Sequence, residues 1–253
     1  TGGAGFIGIH LCKKLLELNH DVTVYDNFSN SLQENFLSIT NDKTSLVVGD
    51  ILDNSKLALN MKNHDIVIHL AAKISVPASI KNPKLTFDVN VNGTQNVLDA
   101  CLQNNITKII ATSTAAVYQN VLSETLLNET SSLKPLSPYG ESKLGMENKI
   151  LDFTSIHNIH ATILRLFNVY GNGQSLEYAG VITKFLSAIK NNNSLIIFGN
   201  GNQTRNFVYI DDVINSIILS LNTHSSEIYN VGSNESISIL ELAKLMIKQS
   251  DKN

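Results

Sequence analysis

Tyr139 and Lys143 stand four residues apart in the segment Pro138-Tyr139-Gly140-Glu141-Ser142-Lys143. On a helix, residues i and i+4 share a face. A phenol with a pKa near ~10 is a poor base at neutral pH. A neighbouring ammonium favours the phenolate and lowers that value. A tyrosine tuned in this way can take the proton from a hydroxyl while the same carbon is oxidised. Taken alone, the spacing has a plain alternative, an exposed helical pair. It gains weight from Ser113 and Thr114, which end an apolar run at Lys108-Ile109-Ile110-Ala111. A hydroxyl there lies at the carboxyl edge of a sheet, where open α/β folds bind ligands, and Thr114 is placed to hold a substrate oxygen. On its own, Thr114 would read as a turn or cap hydroxyl.

The chain opens Thr1-Gly2-Gly3-Ala4-Gly5-Phe6-Ile7-Gly8. Gly3, Gly5 and Gly8 satisfy G-x-G-x-x-G, and Gly2, Gly5 and Gly8 satisfy G-x-x-G-x-x-G. The turn leads into a helical pattern from Phe6 to Leu18, whose first amides can face a pyrophosphate. Asp26 follows Gly5 by 21 residues, at the end of the next strand pattern, where a carboxylate accepts from the ribose hydroxyls of NAD. No Arg follows Asp26 to meet a 2′-phosphate, so the expected cofactor is NAD and not NADP.

Short apolar runs carry these residues. Val22–Tyr25, Leu46–Val48, Ile66–Leu70, Lys108–Ala111 and Ala161–Arg165 read as strands buried on both faces. Helical patterns separate them, among them Val91–Asn104, with Val97, Leu98, Cys101 and Leu102 on one face. Such alternation predicts right-handed βαβ units around a parallel sheet. The expected fold is therefore α/β, a Rossmann-like doubly wound parallel sheet. After about residue 170 the rhythm changes. Strands at Leu195–Phe198 and Phe207–Ile210 and helices at Gly180–Lys190, Asp212–Leu221 and Ile239–Gln249 predict a smaller α/β lobe. The expected division is 1–170 for the nucleotide-binding domain and 171–253 for a substrate lobe, with some segments returning to the main sheet.

Composition narrows the function classes. The 253 residues are 43% hydrophobic and 16% charged, with net charge −3. That suits a folded domain and not a disordered one. No basic run suggests nucleic acid, and no apolar stretch reaches the ~18 residues of a membrane span. Cys12 and Cys101 sit in no C-x-x-C, so neither a disulfide framework nor a metal site is expected. A cytoplasmic setting is the simplest expectation.

The turn, Asp26, Thr114 and the Tyr139–Lys143 pair together resemble the extended short-chain dehydrogenase/reductases, and more narrowly the NAD-dependent sugar-nucleotide epimerase/dehydratase family. The likeness runs along essentially the whole chain, through His69–Ala72, Asn90–Thr94, Ser113–Tyr118, Ser137–Gly140, Arg165–Gly171 and Phe198–Tyr209. The resemblance implies that Gly2, Gly5, Phe6, Ile7 and Gly8 hold the pyrophosphate. It implies that Asp26 and Asn27 hold the adenosine ribose, that Asp50 and Ile51 flank adenine, and that Leu70, Ala71 and Ala72 line the cofactor path. Asn90, Ser113 and Phe167 join the cofactor set, as do Tyr139 and Lys143. Thr114, Tyr139 and Lys143 become catalytic. Thr114, Asn168 and Arg205 contact the nucleotide-sugar substrate. Arg205 is one of two arginines in the chain, and its paired donors suit a diphosphate. Asp211 and Asp212 read as helix N-caps.

Within the family, dehydratases carry an Asp-Glu pair after the catalytic Thr. Ala115-Ala116 stand there instead, and methyl groups shuttle no protons. This favours C4 epimerisation, with UDP-glucose/UDP-galactose the first expectation. UDP-N-acetylglucosamine, a UDP-uronic acid, dehydration and decarboxylation of UDP-glucuronate are the alternatives. Outside the enzyme class stands an NAD-sensing regulatory protein, which commonly lacks the tyrosine base. Three substitutions depart from the family pattern: Gln119 for Gly, Asn172 for Pro and Asn206 for Asp. The resemblance further implies a fragment lacking both ends, including the strand before the turn, with poor stability as a result. It also implies a homodimer at full length, through Val91–Asn104 and Gly140–Ser155.

Overall fold

The computed structural model describes residues 1–37, 39–119, 126–175 and 180–250. The first half alternates as the apolar runs require. Helix α1 (Phe6–Glu17) leads to β1 (Val22–Asp26), α2 (Gln33–Leu37), β2 (Thr44–Val48), α3 (Asn54–Asn60) and β3 (Val67–His69). Two short helices, α4 (Val76–Lys81) and α5 (Pro83–Phe87), precede α6 (Gly93–Gln103) and β4 (Lys108–Thr114). A long helix, α7 (Pro138–Ile156), then precedes β5 (His160–Leu166), β6 (Asn168–Tyr170), α8 (Val181–Lys190) and β7 (Thr204–Tyr209). The described chain closes with α9 (Ile210–Ser220), β8 (Glu227–Val231), β9 (Ser236–Ser238) and α10 (Ile239–Gln249).

Strands β3, β4, β5 and β8 form a parallel sheet in the order 3-4-5-8, and β1 pairs with β2 in parallel beside it. Residues 1 and 2 tie the two sheets together. Gly2 N–H donates to the Tyr25 carbonyl (2.8 Å), and Leu70 N–H donates to the Thr1 carbonyl (3.0 Å). An apolar cleft between β1 and β3, bordered by Leu11, Leu15, Val24, Ile66 and Ile68, is lined by none of Thr114, Tyr139 or Lys143. A third, mixed sheet has the order β6-β7-β9, with β6–β7 parallel and β7–β9 antiparallel.

The sheet is covered on both faces. On one side Val97, Leu98 and Cys101 of α6 and Met146, Ile150 and Phe153 of α7 pack on Ile109, Ala111 and Ile163. On the other, Leu11 and Leu15 of α1 meet Val213 and Ile217 of α9 over Ile110 and Leu164. Burial of this kind on both sides is why these strands read as continuous apolar runs rather than alternating ones. Among the described residues no helix is long and apolar enough to cross a membrane.

Three expectations need correction, and one strand was missed. The helix expected from Val91 starts earlier, as a π-turn over Asp88–Asn92 that runs directly into α6. The strand expected at Leu195–Phe198 does not form. Leu195 and Ile197 pack toward Phe185 and Leu242, while Ile196 and Phe198 stay exposed, and none of the sheets among the described residues includes this segment. Strand β8 and its place in the main sheet had no counterpart in the patterns read. Asp211 and Asp212 lie inside the first turn of α9, whose N-cap position is Tyr209; there they complement the helix dipole without capping it.

Candidate active site

Glycine at the opening turn answers to close packing. Gly2 has φ +72°, and a Cβ on it would stand 2.5 Å from the Ala71 nitrogen. A Cβ on Gly8 would stand 2.5 Å from the Gly3 carbonyl oxygen. Gly5 is different: it is the N-cap of α1 with no side chain capping the helix, and the nearest atom to a Cβ there is the Gly2 oxygen at 3.3 Å. The turn thus brings backbone close to a helix N-terminus that no side chain closes, an arrangement suited to a pyrophosphate. The residues present fit NAD.

Asp26 is buried and already holds the turn together. One carboxylate oxygen accepts from Ala4 N–H (3.0 Å), the other from Phe28 N–H (2.8 Å) and Ser31 Oγ (3.2 Å). Asn27 donates to the Asp50 carboxylate (2.8 Å), which also accepts from Leu52 N–H (2.9 Å). The two acidic positions expected around adenosine are therefore joined through Asn27. Ile51 fits against Gly93, where a Cβ would come within 2.5 Å of it. Leu70, Ala71 and Ala72 follow β3 beside the turn, and the Ala72 carbonyl accepts from Asn30 (3.2 Å).

Helix α7 presents the Tyr–Lys pair. Ser137 caps it by accepting from Gly140 N–H (3.1 Å), and Pro138 supplies its first turn. A Cβ on Gly140 would stand 2.5 Å from the Ala116 carbonyl. The helix start thereby rests on the 3₁₀ turn Ala115–Val117, where Thr114 caps by accepting from Ala116 N–H (3.2 Å). Tyr139 meets Thr114 in a hydrogen bond, and Lys143 lies one turn further along the same helix. Burial pushes the Tyr139 phenol up, and its hydrogen bond with Thr114 pulls the other way. The lowering expected from Lys143 is not what the protein supplies by itself. Desolvation dominates, and the Lys143 ammonium lies against the Met146 sulfur (3.1 Å). Burial pulls Lys143 itself down to about 8, against the opposing pull of Glu147.

Two expected cofactor residues spend their side chains inside the protein. Asn90, on the π-turn, donates to the Lys73 carbonyl and to Ser142 Oγ (both 2.9 Å) and accepts from Lys73 N–H (2.8 Å). Ser113 Oγ donates to Glu147. Phe167 lies beside Gly232, where a Cβ would stand 3.1 Å from the ring. Asn168 donates to the Asn206 carbonyl (2.8 Å) at the head of β6. Arg205 is exposed on β7, where its guanidinium donates to the carbonyl of its neighbour Thr204 (2.8 Å).

Three buried side chains were not singled out from the sequence. His69 spans Thr1 Oγ1 (2.8 Å) and Thr94 Oγ1 (2.9 Å). Thr94 gives its one hydroxyl proton to the Asn90 carbonyl (2.7 Å). Its oxygen must therefore accept from Nε2–H, which assigns the tautomer. Burial and Lys143 hold the imidazole neutral, well below its ordinary range. Glu147 and Arg165 form a two-pronged ion pair, 1% and 2% exposed, at 2.7–3.2 Å. The spacing of Glu147, four residues past Lys143, was the available signal, together with an arginine inside an apolar strand.

A model of the NAD dependent epimerase/dehydratase family matches residues 1–232. The chain belongs to that family. A putative UDP-glucose 4-epimerase of Methanocaldococcus jannaschii is 42% identical over 247 residues, 96% of this chain and 78% of the relative. The UDP-glucose 4-epimerase of Thermotoga maritima, solved with UDP-glucose, superposes with TM-score 0.93 at 31% identity, covering 100% of this chain and 82% of that one. The Thermus thermophilus UDP-glucose 4-epimerase, solved with NAD, gives TM-score 0.92 at 30% identity, covering 100% and 82%. Other matches are described as a UDP-sugar acid decarboxylase and as dTDP-glucose 4,6-dehydratases. The fold is the family's Rossmann-like α/β fold, and the cofactor is NAD.

Proposed function

We propose that this protein epimerises a UDP-sugar at C4, with UDP-glucose/UDP-galactose as the substrate pair. The observation that carries the reading is the contact of Tyr139 with Thr114 at the carboxyl edge of β4, with Lys143 one turn along α7 from Tyr139 and with Ala115 and Ala116 following Thr114. NAD, when bound, supplies the hydride acceptor and a positively charged ring. Tyr139 takes the C4 hydroxyl proton, and Thr114 holds the oxygen as it becomes a ketone. Lys143 supports the phenolate and binds the nicotinamide ribose. Asn168 and Arg205 hold the diphosphate while the 4-keto sugar turns over, and once the hydride taken from C4 is back on its opposite face, Tyr139 returns the proton to the C4 oxygen. Elimination would need a further acid and base beside Thr114, and two methyl side chains stand there. The nearby Glu147 is occupied by Arg165 and Ser113.

The test is proton NMR of UDP-galactose incubated with the protein and NAD. Growth of the UDP-glucose anomeric signal is the expected result. With NAD bound, no new sugar signal would reject this substrate pair and move the assay to UDP-N-acetylglucosamine and UDP-glucuronate.

A further inference from the structure

The Lys143 ammonium is buried, 4% exposed, in a place that gives it little help. Its one hydrogen-bond partner among the described residues is the Met146 thioether, a weak acceptor. A cation in such surroundings tends to lose its proton. One turn further along α7, on the same face, lies Glu147. Its carboxylate is held by three fixed contacts. Arg165 reaches it from β5 through both Nε and Nη2. Ser113 reaches it from β4. Ser113 and Arg165 are register partners across β4 and β5, so their side chains leave the same face of the sheet, beneath α7. Arg165 is anchored in turn by Tyr118, whose hydroxyl accepts from Nη1 (3.0 Å) and whose ring lies 4.9 Å below the guanidinium. Tyr118 donates onward to Asn230 of β8 (2.6 Å). A buried carboxylate is costly unless it is paired, and this one is paired on two sides.

We propose that Glu147 is a positioning residue whose carboxylate, clamped by Arg165 and Ser113, holds Lys143 in its ammonium form beside Tyr139. The proposal rests on the reading of Lys143 as the cation that serves Tyr139. Other charged groups on the elements around α7 do not do this work. His69 is neutral and would oppose the ammonium if charged. Asp88, on the π-turn, pairs with exposed Lys84 of α5. Lys81 of α4 and His160 of β5 are exposed. Asp99 of α6 accepts from Gln95. Lys108 sits at the far end of β4 on the Leu221 and Thr223 carbonyls. Cys101 of α6 is held as a thiol by burial.

The test is an NMR titration of the NAD-loaded protein carrying lysine labelled with carbon-13 at Cε, with the Lys143 signal assigned by Lys143→Arg. Glu147→Gln keeps the shape and removes the charge. Its Lys143 midpoint is expected to fall by about one pH unit. This variant strands a buried arginine, so the double variant Glu147→Gln/Arg165→Met is run beside it; replacing both members of such a pair is the milder change. Because this change removes the Arg165 cation along with the carboxylate, its midpoint should fall by less than in the single variant. The high-pH limb of kcat with UDP-galactose should move down with the midpoint in either variant, with KM little changed. A midpoint equal to the parent's in the variants that fold overturns the proposal. So does a midpoint that moves while the kcat limb stays in place. A parent protein that turns over no UDP-sugar overturns the proposed function instead, and the titration still reports whether Glu147 sustains the ammonium.

Discussion

Tyr139 is subject to two opposing influences, burial and the Thr114 hydrogen bond, and its phenol is the group with no substitute in the site. Tyr139→Phe should lower turnover by roughly 10²–10⁴-fold while NAD stays bound, checked by steady-state assay beside cofactor fluorescence. A NAD-sensing protein would keep its function in that variant. Lys143, at about 8, sets a pH dependence whose sign follows from its role. The ammonium is the working form, so kcat should fall as pH rises through about 8; a pH–rate profile checks it. The lowered value means that the folded protein disfavours the charged form. That penalty is full below about 8 and fades as pH rises toward the ordinary lysine value. Stability and activity thus move in opposite directions with pH at this residue. At the cofactor turn, Gly8→Ala would drive a methyl group against the Gly3 carbonyl. The expected result is loss of NAD binding and a lower melting temperature.

Helix α7 is where local chemistry and long-range packing meet. Its N-cap, Ser137, lies two residues before Tyr139. Ser137→Ala should cost about 1 kcal/mol of stability, measured by urea unfolding, and should reduce kcat more than a cap at a remote helix would. The substitution of Asn for the family's Asp at position 206 has a physical reading. The Asn206 amide donates to the Ser233 and Glu235 carbonyls (2.6 and 3.0 Å), and its oxygen accepts from Ser233 N–H. A carboxylate would face two carbonyl oxygens there. Asn206→Asp should destabilise by about 1–3 kcal/mol, read from the same unfolding curves. Elements whose signal is local were legible in the sequence: the glycine turn, the Tyr139–Lys143 spacing, and apolar runs such as Lys108–Ala111. The π-turn was hidden because its extra residue lies upstream of the intact pattern Val97, Leu98, Cys101, Leu102. At Leu195–Phe198 the alternation of inward and outward side chains is real, yet a strand also needs a neighbour, which four residues cannot reveal. The Glu147–Arg165 pair joins α7 to β5 and left only its i+4 spacing to read.

Across the whole molecule the two halves of the sequence share one core. Helix α9 packs on α1, and β8 extends the sheet beyond β5. Ile217 is fully buried among Leu11, Leu15 and Leu164. Ile217→Ala should cost about 2–5 kcal/mol and lower a single melting transition seen alike by the fluorescence of bound NADH and far-ultraviolet circular dichroism; two separated transitions would show that the halves unfold independently. The chain's route through space also bears on how new substrate preferences arise by recombination. A crossover near residue 170 would import a foreign α9 against the native α1 and a foreign β8 against the native β5, so most such hybrids would inherit a mismatched interior. Viable exchanges must come as two patches. One spans β6 through β7 and the other spans β9 and α10, with the stretch from Ile210 to Val231 left to the parent that supplies α1 and β5.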